Sequence, residues 1–167
     1  MKLRVFILSI FLFGFTVNHY KTTNVGLTLI KSYEHFEPAA YNLHDGKWTY
    51  GYGETKGVHQ GMRITEPEAV ILLSKSIVGY ENEVNRVIYR SLKWHEFDAL
   101  SSFTYNVGSL NEVMQNMVNK NMVAGVCAEM KRHNIAHING VPRVMNGLTR
   151  RRNSEIKLYQ TGQLCLQ

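Results

Sequence analysis

The segment from Glu34 to Thr55 constrains this chain most, because a helical pattern ends there in a carboxylate and runs straight into a Gly- and aromatic-rich stretch. Leu29, Ile30 and Tyr33 fall on one face of a helix predicted over Val25 to Phe36. Asn24 stands where a cap belongs, and Pro38 closes the run. From Ala39 to Val58 the glycines at Gly46, Gly51, Gly53 and Gly57 alternate with aromatics, and no helical stripe is present. That pattern suits two or three short strands, with Asp45-Gly46 as the turn between the first two. Glu34 is thereby set at the lip of a small β-hairpin, where it walls a groove.

The remainder reads as helical. Thr65-Glu66-Pro67-Glu68 is a capping-box start, and Val70, Leu73, Ile77, Tyr80, Val84 and Ile88 stripe a helix running to about Tyr89. Between Lys93 and Gln160 shorter helices are expected, broken at Gly108, Asn119-Lys120-Asn121, Asn139 to Pro142 and Asn146-Gly147. The fold class is α+β: a small β-rich lobe, a long connecting helix and a larger helical lobe with a ligand groove between them. The 167 residues suffice for one such domain with its own core.

A net charge of +6 favours polyanionic partners such as a bacterial cell wall or an anionic membrane. No nucleic-acid motif accompanies it, and nucleic acid is not expected as a partner. Arg150-Arg151-Arg152 lies on a predicted helix with Glu155 close behind, which reads as an ion-paired face. Lys2 and Arg4 precede an apolar run from Val5 to Val17, the layout of an export signal or signal anchor. Residues 1–22 are assigned to that segment and 23–167 to the folded domain, with Lys21 to Asn24 as a polar link. The chain is expected to be exported, and tethered to the inner membrane or periplasmic. Cys127 and Cys165 are able to pair in an oxidising compartment. His133 and His137 have helical spacing but lack a third ligand, so no metal or other cofactor is expected.

Glu34, followed by Tyr41, Gly46, Trp48, Thr49, Gly51, Tyr52, Gly53 and Thr55, resembles the signature of the phage-type lysozymes. Trp94 to Gly108 resembles that family's core helix, and Gly147-Leu148 through Glu155 its closing segment. The resemblance runs from about Val25 to Gly162. It implies a lysozyme-like fold, a monomer, and a muramidase that cuts bacterial peptidoglycan in the host of a phage or prophage. It also implies Glu34 as the catalytic acid, its pKa raised by aromatic neighbours, and Thr49 as the hydroxyl that holds the attacking water. Tyr41, Tyr52, Glu54 and Asn106 fall at substrate-binding positions of the motif.

Three positions depart from the pattern. Leu43 stands where the family has its second carboxylate, with Asp45 as the nearest substitute on the same turn. Glu54 replaces a His and is a second candidate base. His35 replaces the Gly that follows the acid. These departures leave two further expectations open: an impaired, glycan-binding lysozyme-like protein, and a single-Glu lytic transglycosylase.

Overall fold

The computed structural model describes residues 19–42 and 46–166. Residues 1–18, 43–45 and 167 lie outside them, and with them the apolar run from Val5 to Val17 expected as an export segment and the turn expected at Asp45. The chain forms α1 (Asn24–Glu34), β1 (Glu37–Asn42), β2 (Trp48–Gly51), α2 (Glu66–Val87), α3 (Trp94–Val107), α4 (Glu112–Asn119), α5 (Val123–Arg132), β3 (Ile135–Ile138), β4 (Val141–Val144) and α6 (Asn146–Thr161). This is the α+β, lysozyme-like arrangement expected: β1 and β2 form a small lobe, α2 leaves it, and α3 to α6 build the larger lobe.

Two cores form, and α1 lies along their seam. Leu29 packs with Phe97, Leu100, Phe103, Met114 and Leu158 in the helical lobe. Ile30, the next residue, packs with Tyr50, Tyr52, Ile64, Leu73 and Ile77 under the β lobe. Residues four apart share a helix face, so Tyr33 continues the side of Leu29 and Glu34 the side of Ile30. The last turn of α1 therefore delivers Glu34 to the junction of the lobes. The helix stops there, two residues short of the predicted Phe36, because His35 turns to φ 54° and ψ 147°.

β1 and β2 pair antiparallel, with Tyr41 opposite Thr49 and Asn42 opposite Trp48. The register slips between Glu37 and Tyr41, where β1 also bonds along its other edge: Ala40 N–H to Met62 O and Ile64 N–H to Pro38 O, both 2.9 Å. On α2, the Glu68 carboxylate accepts from Thr65 N (2.9 Å) and Thr65 Oγ1 (2.7 Å), as the capping box requires. Leu73, Ile77, Val84 and Ile88 are buried on the predicted stripe.

Four expectations are corrected. The cap of α1 is Thr23, whose hydroxyl accepts from Val25 N–H at 3.1 Å, and Asn24 is the first helical residue. The link before it is pinned to α2 and α3. Tyr20 N–H donates to Asn85, Thr22 N–H to Glu81, and Thr23 N–H to Asp98, at 2.7–2.9 Å. Finally, Ile135 to Val144 is a β-hairpin, turned by Asn139-Gly140 with both φ positive. Asn146-Gly147 opens α6 and does not break a helix. Cys127 and Cys165 are unpaired.

Asp98 is fully buried and holds the start of α1 through Thr23 and through Gly26 N–H at 3.0 Å. A Cβ on Gly26 would lie 2.5 Å from Thr22 Cγ2 and 2.8 Å from Asp98 Cγ, so only glycine fits. Gly26→Ala is expected to lower stability by about 1–3 kcal/mol through overpacking, measured by urea unfolding. An unchanged midpoint would show that this clamp is not tight.

Candidate active site

Glu34 leaves the end of α1 with its side chain about one-fifth exposed, and Arg151 from α6 meets it. Arg151 Nη1 donates to Glu34 Oε1 at 2.5 Å. The guanidinium is almost fully buried and is fixed on its other edges, with Nε on Glu155 Oε1 at 3.2 Å and Nη2 on the Ser102 carbonyl at 3.3 Å. Glu155 is fully buried and also accepts from Ser102 Oγ at 2.8 Å and from Arg152 Nη2 at 3.1 Å. Burial pushes the Glu155 carboxyl upward, and the two guanidiniums beside it pull the other way. Arg152 in turn lies over the Phe103 ring and reaches Asn106 Oδ1 at 3.0 Å. Arg151 and Arg152 of the Arg150–Arg152 run are thus ion-paired, but their pairing is interior and ends on the candidate acid, while Arg150 is exposed. The expected aromatic setting of Glu34 is joined by a buried cation.

Among the described residues, only Oε1 of Glu34 carries a hydrogen bond, which leaves Oε2 open. It lies 3.9 Å from where a Cβ on Gly53 would stand, and Gly53 holds φ 96°, a conformation that side-chain-bearing residues avoid. The β lobe therefore approaches Glu34 through bare backbone. Tyr105 closes this corner: its hydroxyl donates to the Tyr52 carbonyl at 2.9 Å and its ring packs on Tyr80. Burial, then the negative charge of Glu34, push the Tyr105 phenol upward.

The other predicted residues divide by position. Tyr41 and Thr49 are cross-strand partners and so share a face of the β lobe. Burial, then the charges of Glu37 and Glu34, raise the Tyr41 pKa. Thr49 is buried there. Asn106 lines a cavity of about 400 Å³ with Glu34, His35, Ala136, Arg150 and Arg151. Tyr52 is turned inward: its hydroxyl donates to Glu66 at 2.7 Å, and burial and that bond push its pKa up to about 12. Glu54 is occupied, accepting from Thr55 N–H, Lys56 N–H and Ser76 Oγ at 2.5–3.1 Å. It borders a separate cavity with Tyr50, Lys56 and Lys75. Asp45 lies outside the described residues. No cluster of His, Cys, Asp or Glu fit to hold a metal occurs among those described.

The phage lysozyme family model matches residues 31–155, the span that holds all of these groups. The chain belongs to the phage lysozyme family. It is 32% identical over 139 residues to an endolysin of Acyrthosiphon pisum secondary endosymbiont phage 1, covering 81% of this chain and 95% of that one. Among solved structures, the muramidase domain of SpmX from Asticcacaulis excentricus aligns with a TM-score of 0.80 at 34% identity, covering 85% of this chain and 99% of that one. An endolysin from Escherichia coli O157:H7 phage FAHEc1 aligns at 0.82 and 29%, covering 89% and 98%. The protein is a lysozyme, a glycosidase of the peptidoglycan-degrading class.

Sequence reasoning missed Arg151, Ser102 and Tyr105 as parts of this site. The only local signal was Arg151 standing four residues before Glu155, a helical ion-pair spacing. Arg151→Met removes one side of a buried pair while keeping bulk. It should cost about 3–5 kcal/mol of stability, read from chemical denaturation. A loss near zero would mean that Glu155 and Glu34 do not depend on Arg151.

Proposed function

We infer that this lysozyme is a muramidase that hydrolyses the MurNAc–GlcNAc β-1,4 bond of peptidoglycan, with Glu34 as the proton donor to the leaving glycosidic oxygen. The observation that carries the reading is the Glu34–Arg151 pair, which holds one carboxylate oxygen and leaves the other beside the bare backbone of Gly53. A positioned carboxyl of this kind supplies the acid half of glycoside hydrolysis. Thr49, on β2, is assigned to holding the attacking water. Tyr41 and Asn106 are assigned to the sugar. Tyr52 and Glu54 are assigned to the frame of the substrate groove, because their polar atoms are already engaged. Val5 to Val17, with Lys2 and Arg4 before it, supports export to the periplasmic side of the inner membrane. The protein acts there as a monomer.

Glu34→Gln keeps the shape and removes the transferable proton, so turnover of purified wall should fall by at least about 100-fold with the fold intact by circular dichroism. Wild-type turnover in this variant would end the assignment. Thr49→Val should lower kcat about tenfold, the worth of one hydrogen bond, with little change in KM. An unchanged kcat would remove Thr49 from the chemistry.

A further inference from the structure

Hydrolysis needs a second group to take a proton from water, and the family's carboxylate position is Leu43, which accepts none. Glu54 is spent on three hydrogen bonds and borders another cavity. Among the described residues that line the cavity with Glu34, the side chains are Tyr, Glu, His, Asn, Arg and apolar residues, and those able to take up a proton are Glu34 and His35. His35 is exposed, and its ring makes no hydrogen bond or ion pair with a described residue.

The backbone of His35 is the second observation. Its φ of 54° with ψ of 147° lies where glycine sits freely and a residue with a Cβ is strained. A strained side chain thus stands beside the acid, on the same cavity, with no bond to a described residue to hold it.

We propose that His35 is a catalytic residue, the base that replaces the missing carboxylate. The proposal rests on the muramidase reading. The neutral ring nitrogen of His35 takes a proton from water as the water oxygen bonds to the anomeric carbon. The glycosidic C–O bond breaks, and its oxygen takes the proton of Glu34. One water is consumed, His35 ends protonated and Glu34 ionised. Solvent carries the proton from the imidazolium back to the neighbouring carboxylate, which resets the pair.

His35→Gly separates this role from a structural one, because glycine suits the backbone angle. The full-length variant is expected to melt several degrees above wild type, to lose on the order of 100-fold or more in kcat on purified wall, and to change little in KM. Added free imidazole should restore part of the lost rate, and should fail to do so when Glu34→Gln is also present. Wild-type kcat in His35→Gly would overturn the proposal, as would a loss that imidazole does not relieve. The wild type and Glu34→Gln run alongside separate the two readings. A wild type that cleaves wall and a dead Glu34→Gln, with an unimpaired His35→Gly, leave the muramidase standing and remove His35. A wild type that leaves wall intact removes both.

Discussion

A carboxylate without solvent, Glu155, sets the geometry that everything else at this site follows. An ion in that position needs partners of opposite charge, and the fold supplies Arg151 and Arg152 from its own helix and Ser102 from α3. Arg151 cannot reach Glu155 and Ser102 without pointing its remaining N–H groups toward the end of α1. Glu34 meets them there. The acid is therefore aimed by a chain of charges that begins in the interior of the helical lobe, and the chain ties α1, α3 and α6 into one rigid unit behind the groove.

The division of the two cores does the rest. Leu29 and Ile30 commit the opposite sides of α1 to different lobes, so the helix cannot rotate without exposing one of them. Each is fully buried, and losing either from its core would cost about 2–5 kcal/mol. That penalty holds the Glu34 side of the helix at the lobe junction. Asp98 fixes the other end of the same helix through Thr23 and Gly26, so α1 is clamped at its start and aimed at its finish.

Much of this was legible in the sequence because it is local. The Thr65–Glu68 box, the stripe through α2 and the Gly-rich hairpin each depend on residues a few positions apart. Two elements were misread. Ile135 to Ile138 falls in an expected helix and Asn139 to Pro142 reads as a break between helices, although Asn139-Gly140 is a strong hairpin turn, because the helical patterns on either side outweigh that pair. Lys21 to Asn24 looked like a link because its composition is polar, whereas its backbone donors are satisfied by Glu81 and Asp98 far along the chain. The Arg151–Glu34 contact spans 117 positions, and no periodicity carries information over that distance. Arg150 to Arg152 announced pairing with Glu155 but not its extension to the acid.

The mechanism assigned to this site adds water across the glycosidic bond, with one group delivering a proton and another removing one. A site with Glu34 alone would instead close the sugar on itself and release an anhydro product. Mass analysis of the fragments from purified peptidoglycan, digested in heavy-oxygen water, tests this most directly. The account predicts reducing muropeptides that carry one solvent oxygen at the newly formed end. Anhydro fragments lighter by one water and free of the label would contradict it.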